Sequence, residues 1–209
     1  MANRKNVYFT ADWHLFHKSS IKFDSRPFVD IIHMHRVLIN NYNSVVSKNG
    51  LCYFLGDMGD VKHYNEFKEI LTQLNGTKVL ILGNHDKKHN FMYGLGFDVV
   101  LNAAMIEIGG EIVTISHCPL RGVFREDTSN MRGGLGPEKE NWHKEHRHIN
   151  YSVPNFNQYH LHGHTHLRGG KGPIKENKQW DVGLPGNNYF PVSISKIESW
   201  ISSHKRNKQ

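Results

Sequence analysis

Apolar residues along the chain fall into two patterns, short unbroken runs and helical spacing. Residues 6–11, 51–55 and 79–82 are runs that suit strands buried on both faces. Between the first two, Ile31, Met34, Leu38, Tyr42 and Val45 repeat at helical spacing, with Asp30 placed to cap a helix extending to about residue 47. Between the second and third, Phe67, Ile70, Leu71 and Leu74 mark one face of another helix, closed by Asn75-Gly76. This is a β-α-β-α-β order, and right-handed crossovers make its strands parallel. Further strands are predicted over residues 97–100, 105–108 and 111–115, the last two joined at Gly109-Gly110. Residues 159–162, 179–183 and 189–194 read as later strands. Ser193 or Ser195 can cap a final helix containing Ile197, Trp200 and Ile201. Residues 16–28 show no periodicity and read as a loop.

Composition narrows the class. A chain of 209 residues with 38% hydrophobic and 22% charged residues is expected to be one domain with a substantial core. No apolar run approaches bilayer-spanning length, so no membrane partner is expected. The first residues lack an apolar segment of the kind a secretory signal needs, and the expectation is a cytoplasmic protein. The two cysteines cannot form a disulfide framework. Cys52 reads as a core residue, whereas Cys118 follows a candidate metal-binding histidine. A net charge of +7 suits an anionic partner such as a phosphate ester, nucleotide or nucleic acid. Part of that charge lies in residues 204–209, read as a frayed basic tail. Residues 120–158 are polar, lack a second core and read as a loop or lid with a short helix near 138–146. Trp142, His143, His146, His148 and Tyr151 give this stretch aromatic and basic character suited to a nucleotide.

The candidate chemistry sits where the strands end. The 16 histidines cluster there with carboxylates and glycines, which points to metal. Asp12 and His14, two apart in extended chain, face one side and can bind one cation. Gly56-Asp57, Gly83-Asn84-His85-Asp86, Ser116-His117 and Gly163-His164-Thr165-His166 follow at later strand exits. In an open α/β sheet ligands bind at such exits, so Asp12, His14, Asp57, Asn84 and His85 are expected to converge. Any one of these segments alone also reads as an ordinary turn. Arg26, His17 and Arg121 are candidate substrate contacts for a phosphate. His33 and His35 read as solvated or rim positions on their helix, and His162 as a strand residue.

Together, in this order and each after an apolar run, these five segments resemble the calcineurin-like metallophosphoesterase superfamily over about residues 7–166. The resemblance implies a four-layer α/β/β/α sandwich with two mixed sheets and a dinuclear metal centre. By motif match Asp12, His14 and His166 would hold one divalent ion. Asn84, His117 and His164 would hold the other, with Asp57 bridging. Such mixed donors suit manganese first, with iron, zinc or nickel as alternatives, over all-oxygen Mg or Ca sites. His85 matches the family's general acid, and Asp86, where many members carry Glu, would orient it. The implied reaction is hydrolysis of a phosphodiester of nucleotide or nucleic-acid type by hydroxide activated between the two ions. A phosphomonoesterase or protein phosphatase is the alternative. A non-catalytic scaffold is disfavoured because every expected ligand position is filled.

Overall fold

The structure, a computed structural model, describes residues 6–120, 149–166, 173–174 and 178–206. In chain order the elements are β1 (Val7–Thr10), α1 (Lys18–Phe23), α2 (Ile31–Val45), β2 (Leu51–Phe54), α3 (Tyr64–Gln73), β3 (Thr77–Ile81), α4 (His89–Leu95), β4 (Val99–Leu101), β5 (Ala104–Ile108), β6 (Glu111–Ile115), β7 (Tyr159–His162), β8 (Pro173–Ile174), β9 (Gln179–Asp181), β10 (Val192–Ser193) and α5 (Ile194–Arg206). They build two five-stranded mixed sheets, ordered β10-β1-β2-β3-β4 and β5-β6-β7-β9-β8. Strands β1 to β4 are parallel, with Val7 opposite Leu51 and Leu51 opposite Thr77, and β10 runs antiparallel to β1. In the second sheet β5–β6 is the antiparallel hairpin turning at Gly109 and Gly110, and β6, β7 and β9 are parallel.

The unbroken apolar runs are explained by two cores. Alternate residues of a strand face opposite sides. Cys52 and Phe54 of β2 and Leu80 of β3 therefore enter one core, formed with Met34, Leu38 and Tyr42 of α2 and Phe67 and Leu71 of α3. Phe9, Leu55 and Ile81 enter the other, formed with Val113, Ile115, Leu161 and Trp180 of the second sheet and Ile197, Trp200 and Ile201 of α5. Burying each such side chain stabilises the fold by about 1.5–3 kcal/mol before the cost of ordering it. The Asp30 carboxylate accepts the His33 backbone N–H at 2.7 Å and caps α2. The result is the two-sheet α/β sandwich expected from the resemblance.

Several expectations need correction. The stretch read as a loop contains α1, six residues with no side-chain cap and only Ser20 buried, too little for a periodic signal. Helix α4, of seven residues, is likewise too short to be legible. Residues 189–191 are turn rather than strand, and β10 is confined to Val192–Ser193. His35 is buried, not a rim residue: its Nε2 accepts the Phe16 N–H at 2.9 Å and the two rings meet edge to face. His204, Lys205 and Arg206 form the last turn of α5, where basic residues complement the helix dipole. The proposed helix at 138–146, residues 121–148 of the lid and Arg121 lie outside the described residues. Among those described, no helix is long and apolar enough to cross a membrane.

Candidate metal centre

The strand exits continue side by side past the end of regular pairing. Asp12 N donates to Gly56 O at 3.1 Å, His14 N to Asp57 O at 3.1 Å, and Leu15 N to Met58 O at 2.9 Å. Glycine makes the approach possible. A Cβ on Gly83 would collide with the Asp57 backbone and carboxylate, and one on Gly56, which has φ +85°, would lie 2.6 Å from His117 Nδ1. Asp12, His14, Asp57, His164 and His166 themselves take left-handed backbone, with φ between 48° and 69°. Such conformations cost about 1–3 kcal/mol each in non-glycine residues and persist where surrounding contacts impose them, typically at functional sites.

These backbones aim seven side chains at one place. His14 Nε2 and His166 Nε2 face each other at 3.1 Å, and His166 Nε2 lies 3.5 Å from Asp12 Oδ1. On the other side His117 Nε2 is 3.0 Å from Asn84 Oδ1, and the His117 and His164 ring centroids are 5.1 Å apart. Asp57 stands between the halves, its Oδ2 4.0 Å from His14 Nε2 and 3.4 Å from His117 Nε2. Ligand atoms of Asp12, His14, Asp57 and His166 all lie within 4.8 Å of one another, and so do those of His117, Cys118 and His164. The protein therefore carries residues that can hold metal. Two imidazole nitrogens pointing at each other beside two carboxylates are a donor set that a divalent transition ion fits.

Outer contacts fix which ring nitrogen faces inward. His117 donates from Nδ1 to Leu55 O at 2.7 Å, and His166 from Nδ1 to Asp24 Oδ1 at 2.9 Å, leaving each Nε2 for the centre. Without metal, protons do part of an ion's work. Burial alone would lower His117, but Asp57 outweighs it and raises the imidazole to about 9. His166, opposed by burial but held by Asp12 and Asp24, rises to about 10. His14 drops to about 3 through burial and the neighbouring His166 charge. The facing pair thus carries one proton charge, on His166. Burial pushes Asp12 up, yet His166 prevails and holds it at about 2, and Asp57 is likewise lowered, by His117 against its burial.

The remaining candidates take different places. His85 is at the mouth, its side chain 60% exposed and its Nε2 3.9 Å from Asp57 Oδ2, and its backbone N–H donates to Asp57 Oδ1 at 2.9 Å. Asp86 does not orient it. Its carboxylate accepts the backbone N–H groups of Gly83, Asp57 and Met58 at 2.8–3.0 Å, tying the β2 and β3 exits together. Arg26 is not a phosphate contact either. It is 4% exposed and donates to the Asp24 carboxylate and to the carbonyls of Trp13 and Asp12, because a buried guanidinium needs those acceptors. His17 is exposed, with its Nδ1 3.4 Å from His14 Nδ1. Sequence reasoning missed Asp24, which links Arg26 to His166; a carboxylate two residues before an arginine was the only signal. It also missed Asp181, which accepts from the Thr165 hydroxyl and the Gly183 N–H and so braces the loop carrying His164 and His166. Its place after Trp180, at the end of β9, repeats the strand-exit pattern. Cys118 stays a buried thiol, pushed well above the usual thiol range by burial and by Asp57 and Asp12.

Known proteins share this chain's length and fold. It is 31% identical to the uncharacterized protein MJ1445 of Methanocaldococcus jannaschii, over 98% of this chain and 96% of the relative. The Gene 66 protein of Mycobacterium phage L5 is 29% identical over 77% of each chain. The crystal structure of AQ665, a protein of unknown function from Aquifex aeolicus, superposes with a TM-score of 0.64 at 23% identity, covering 92% of this chain and 97% of its own, a likeness of fold. No protein-family profile matches the chain.

Proposed function

For a chain that belongs to the family of the uncharacterized Methanocaldococcus jannaschii protein MJ1445, we propose a metal-dependent phosphoesterase acting on a phosphodiester of nucleotide or nucleic-acid type. One observation carries the reading. Asp57 Oδ2 lies between two inward-facing imidazole groups, 4.0 Å from His14 Nε2 and 3.4 Å from His117 Nε2, as a carboxylate bridging two cations requires. Asp12, His14 and His166 would hold one divalent ion and Asn84, His117 and His164 the other, with manganese the first choice. Once bound, the ions supply the positive charge that clamps phosphoryl oxygens and activates water.

The chain's own residues do the rest. Asp24 and Leu55 O engage the Nδ1 atoms of His166 and His117, so that each Nε2 would be free to hold metal. Asp86 and Arg26 hold the backbone that presents Asp57, Asn84 and Asp12. His85 projects from the mouth on a backbone anchored by Asp57, placed to give a proton to the leaving oxygen as the ester bond breaks. His17, exposed beside His14, is a candidate substrate contact.

The test is hydrolysis of a chromogenic phosphate bis-ester and mono-ester by metal-stripped protein with Mn, Fe, Zn, Ni or Mg restored. Diester cleavage that returns with a transition ion is the expected result. Cleavage of the mono-ester alone would transfer the site to phosphatases. Two bound ions without turnover of either substrate would overturn the reading.

A further inference from the structure

A cleft of about 360 Å³ adjoins the loop that carries Asn84 and His85, with Gly83 and Asp86 in its wall. That volume is within the range of small-molecule sites, at about 300–1,000 Å³. It is tied to the centre on two sides. Gly83 and Asp86 bracket the two site residues. Across the opening, the Tyr151 carbonyl accepts the Cys118 N–H at 2.8 Å, directly after His117. A group bound in this cleft therefore lies next to the segment that carries His85.

The lining states what the half must be. Lys87, Lys88 and His89 line it together with Asn102, Asn150 and Tyr151. Neither lysine enters an ion pair among the described residues, so both are available to an anion. Asp86, the carboxylate in the wall, does not repel one, because its oxygens are turned onto the N–H groups of Gly83, Asp57 and Met58. Cations alone would suit any anion. Two amides and an aromatic ring beside them suit a planar group with hydrogen-bonding edges. A phosphorylated serine or threonine side chain would leave those amides and that ring idle.

We propose that this cleft binds the nucleotide unit on the leaving-group side of the scissile bond. Its phosphate lies at Lys87 and Lys88, and its base against Tyr151, Asn102 and Asn150. The assignment rests on the phosphoesterase reading for its orientation, and its test separates the two. The full-length, manganese-loaded chain and its variants Lys87→Ala/Lys88→Ala and Tyr151→Leu are assayed on a thymidine dinucleotide carrying a terminal phosphate and on the chromogenic bis-ester. Each variant is expected to lose about tenfold more kcat/KM on the dinucleotide than on the bis-ester, chiefly through KM. An equal change on both substrates would overturn the cleft while leaving the centre's chemistry standing. Should the wild type cleave neither substrate, the phosphoesterase reading fails instead. Calorimetric titration of thymidine monophosphate into the same proteins then decides the cleft. Binding weakened about tenfold in the lysine variant sustains it, and no binding to the wild type removes it.

Discussion

At the scale of residues, the centre is a set of charges that need one another. His117 and His166, raised to about 9 and about 10, stabilise the metal-free fold in full below the unfolded value near 6.5 and lose that contribution as pH rises through their folded values. Asp12, at about 2, and Asp57, also lowered, contribute above the unfolded value near 3.8 and lose it on acidification. Chelator-treated protein should therefore melt at progressively lower temperature from pH 7 to pH 10. A flat profile would show that these imidazoles do not carry the protons assigned to them. Asp24→Ala leaves the Arg26 guanidinium buried beside a lost partner and frees His166 to turn. Metal affinity should fall about 10–100-fold, measured by competition with a chromophoric chelator, and wild-type affinity would remove Asp24 from the centre. His85→Ala should keep its metal and lower turnover of a diester with a poor leaving group about 10²–10⁴-fold. Near-normal rates there would sink its role as proton donor.

At the scale of elements, glycines decide how closely two strand exits pass. Gly83 follows β3 where any side chain would enter the Asp57 carboxylate. Gly83→Ala should destabilise the protein by about 1–3 kcal/mol and lower bound metal in the purified protein. Full stoichiometry by elemental analysis would mean that the exits can separate without disturbing Asp57. Helix α2 offers a contrasting change remote from the centre. Removing its cap by Asp30→Ala should cost about 1 kcal/mol in denaturant melts, and the bound metal should stay at the wild-type level.

At the scale of the whole molecule, the centre fastens two sheets together. Asp12, His14, Asp57 and Asn84 come from exits of the first sheet, and His117, His164 and His166 from exits of the second. Bound metal should therefore stabilise the entire fold. An ion at a hundred times its dissociation constant contributes about 2.7 kcal/mol, or about 5–10 °C of melting temperature for a chain this long. Calorimetry with and without chelator checks it, and coincident transitions would argue against a centre spanning both sheets. The sequence by itself determined most of the strand and helix order, the parallel pairing of β1, β2 and β3, and the strand-exit positions of the seven ligand candidates. Each of these rests on local periodicity, or on a polar residue ending an apolar run. Helices α1 and α4 left no trace, because fewer than two turns with little buried surface make no period. Only the tertiary structure decided the partners of the buried charges. Arg26, Asp86 and His35 have side chains that suit a surface or a substrate equally well in sequence. Each went instead to the backbone and carboxylate groups that folding would otherwise have left without a bond. Asp24 and Asp181 became part of the centre for the same reason, since a hydrogen bond between residues 142 or 16 positions apart is set by packing, not by the spacing of a motif.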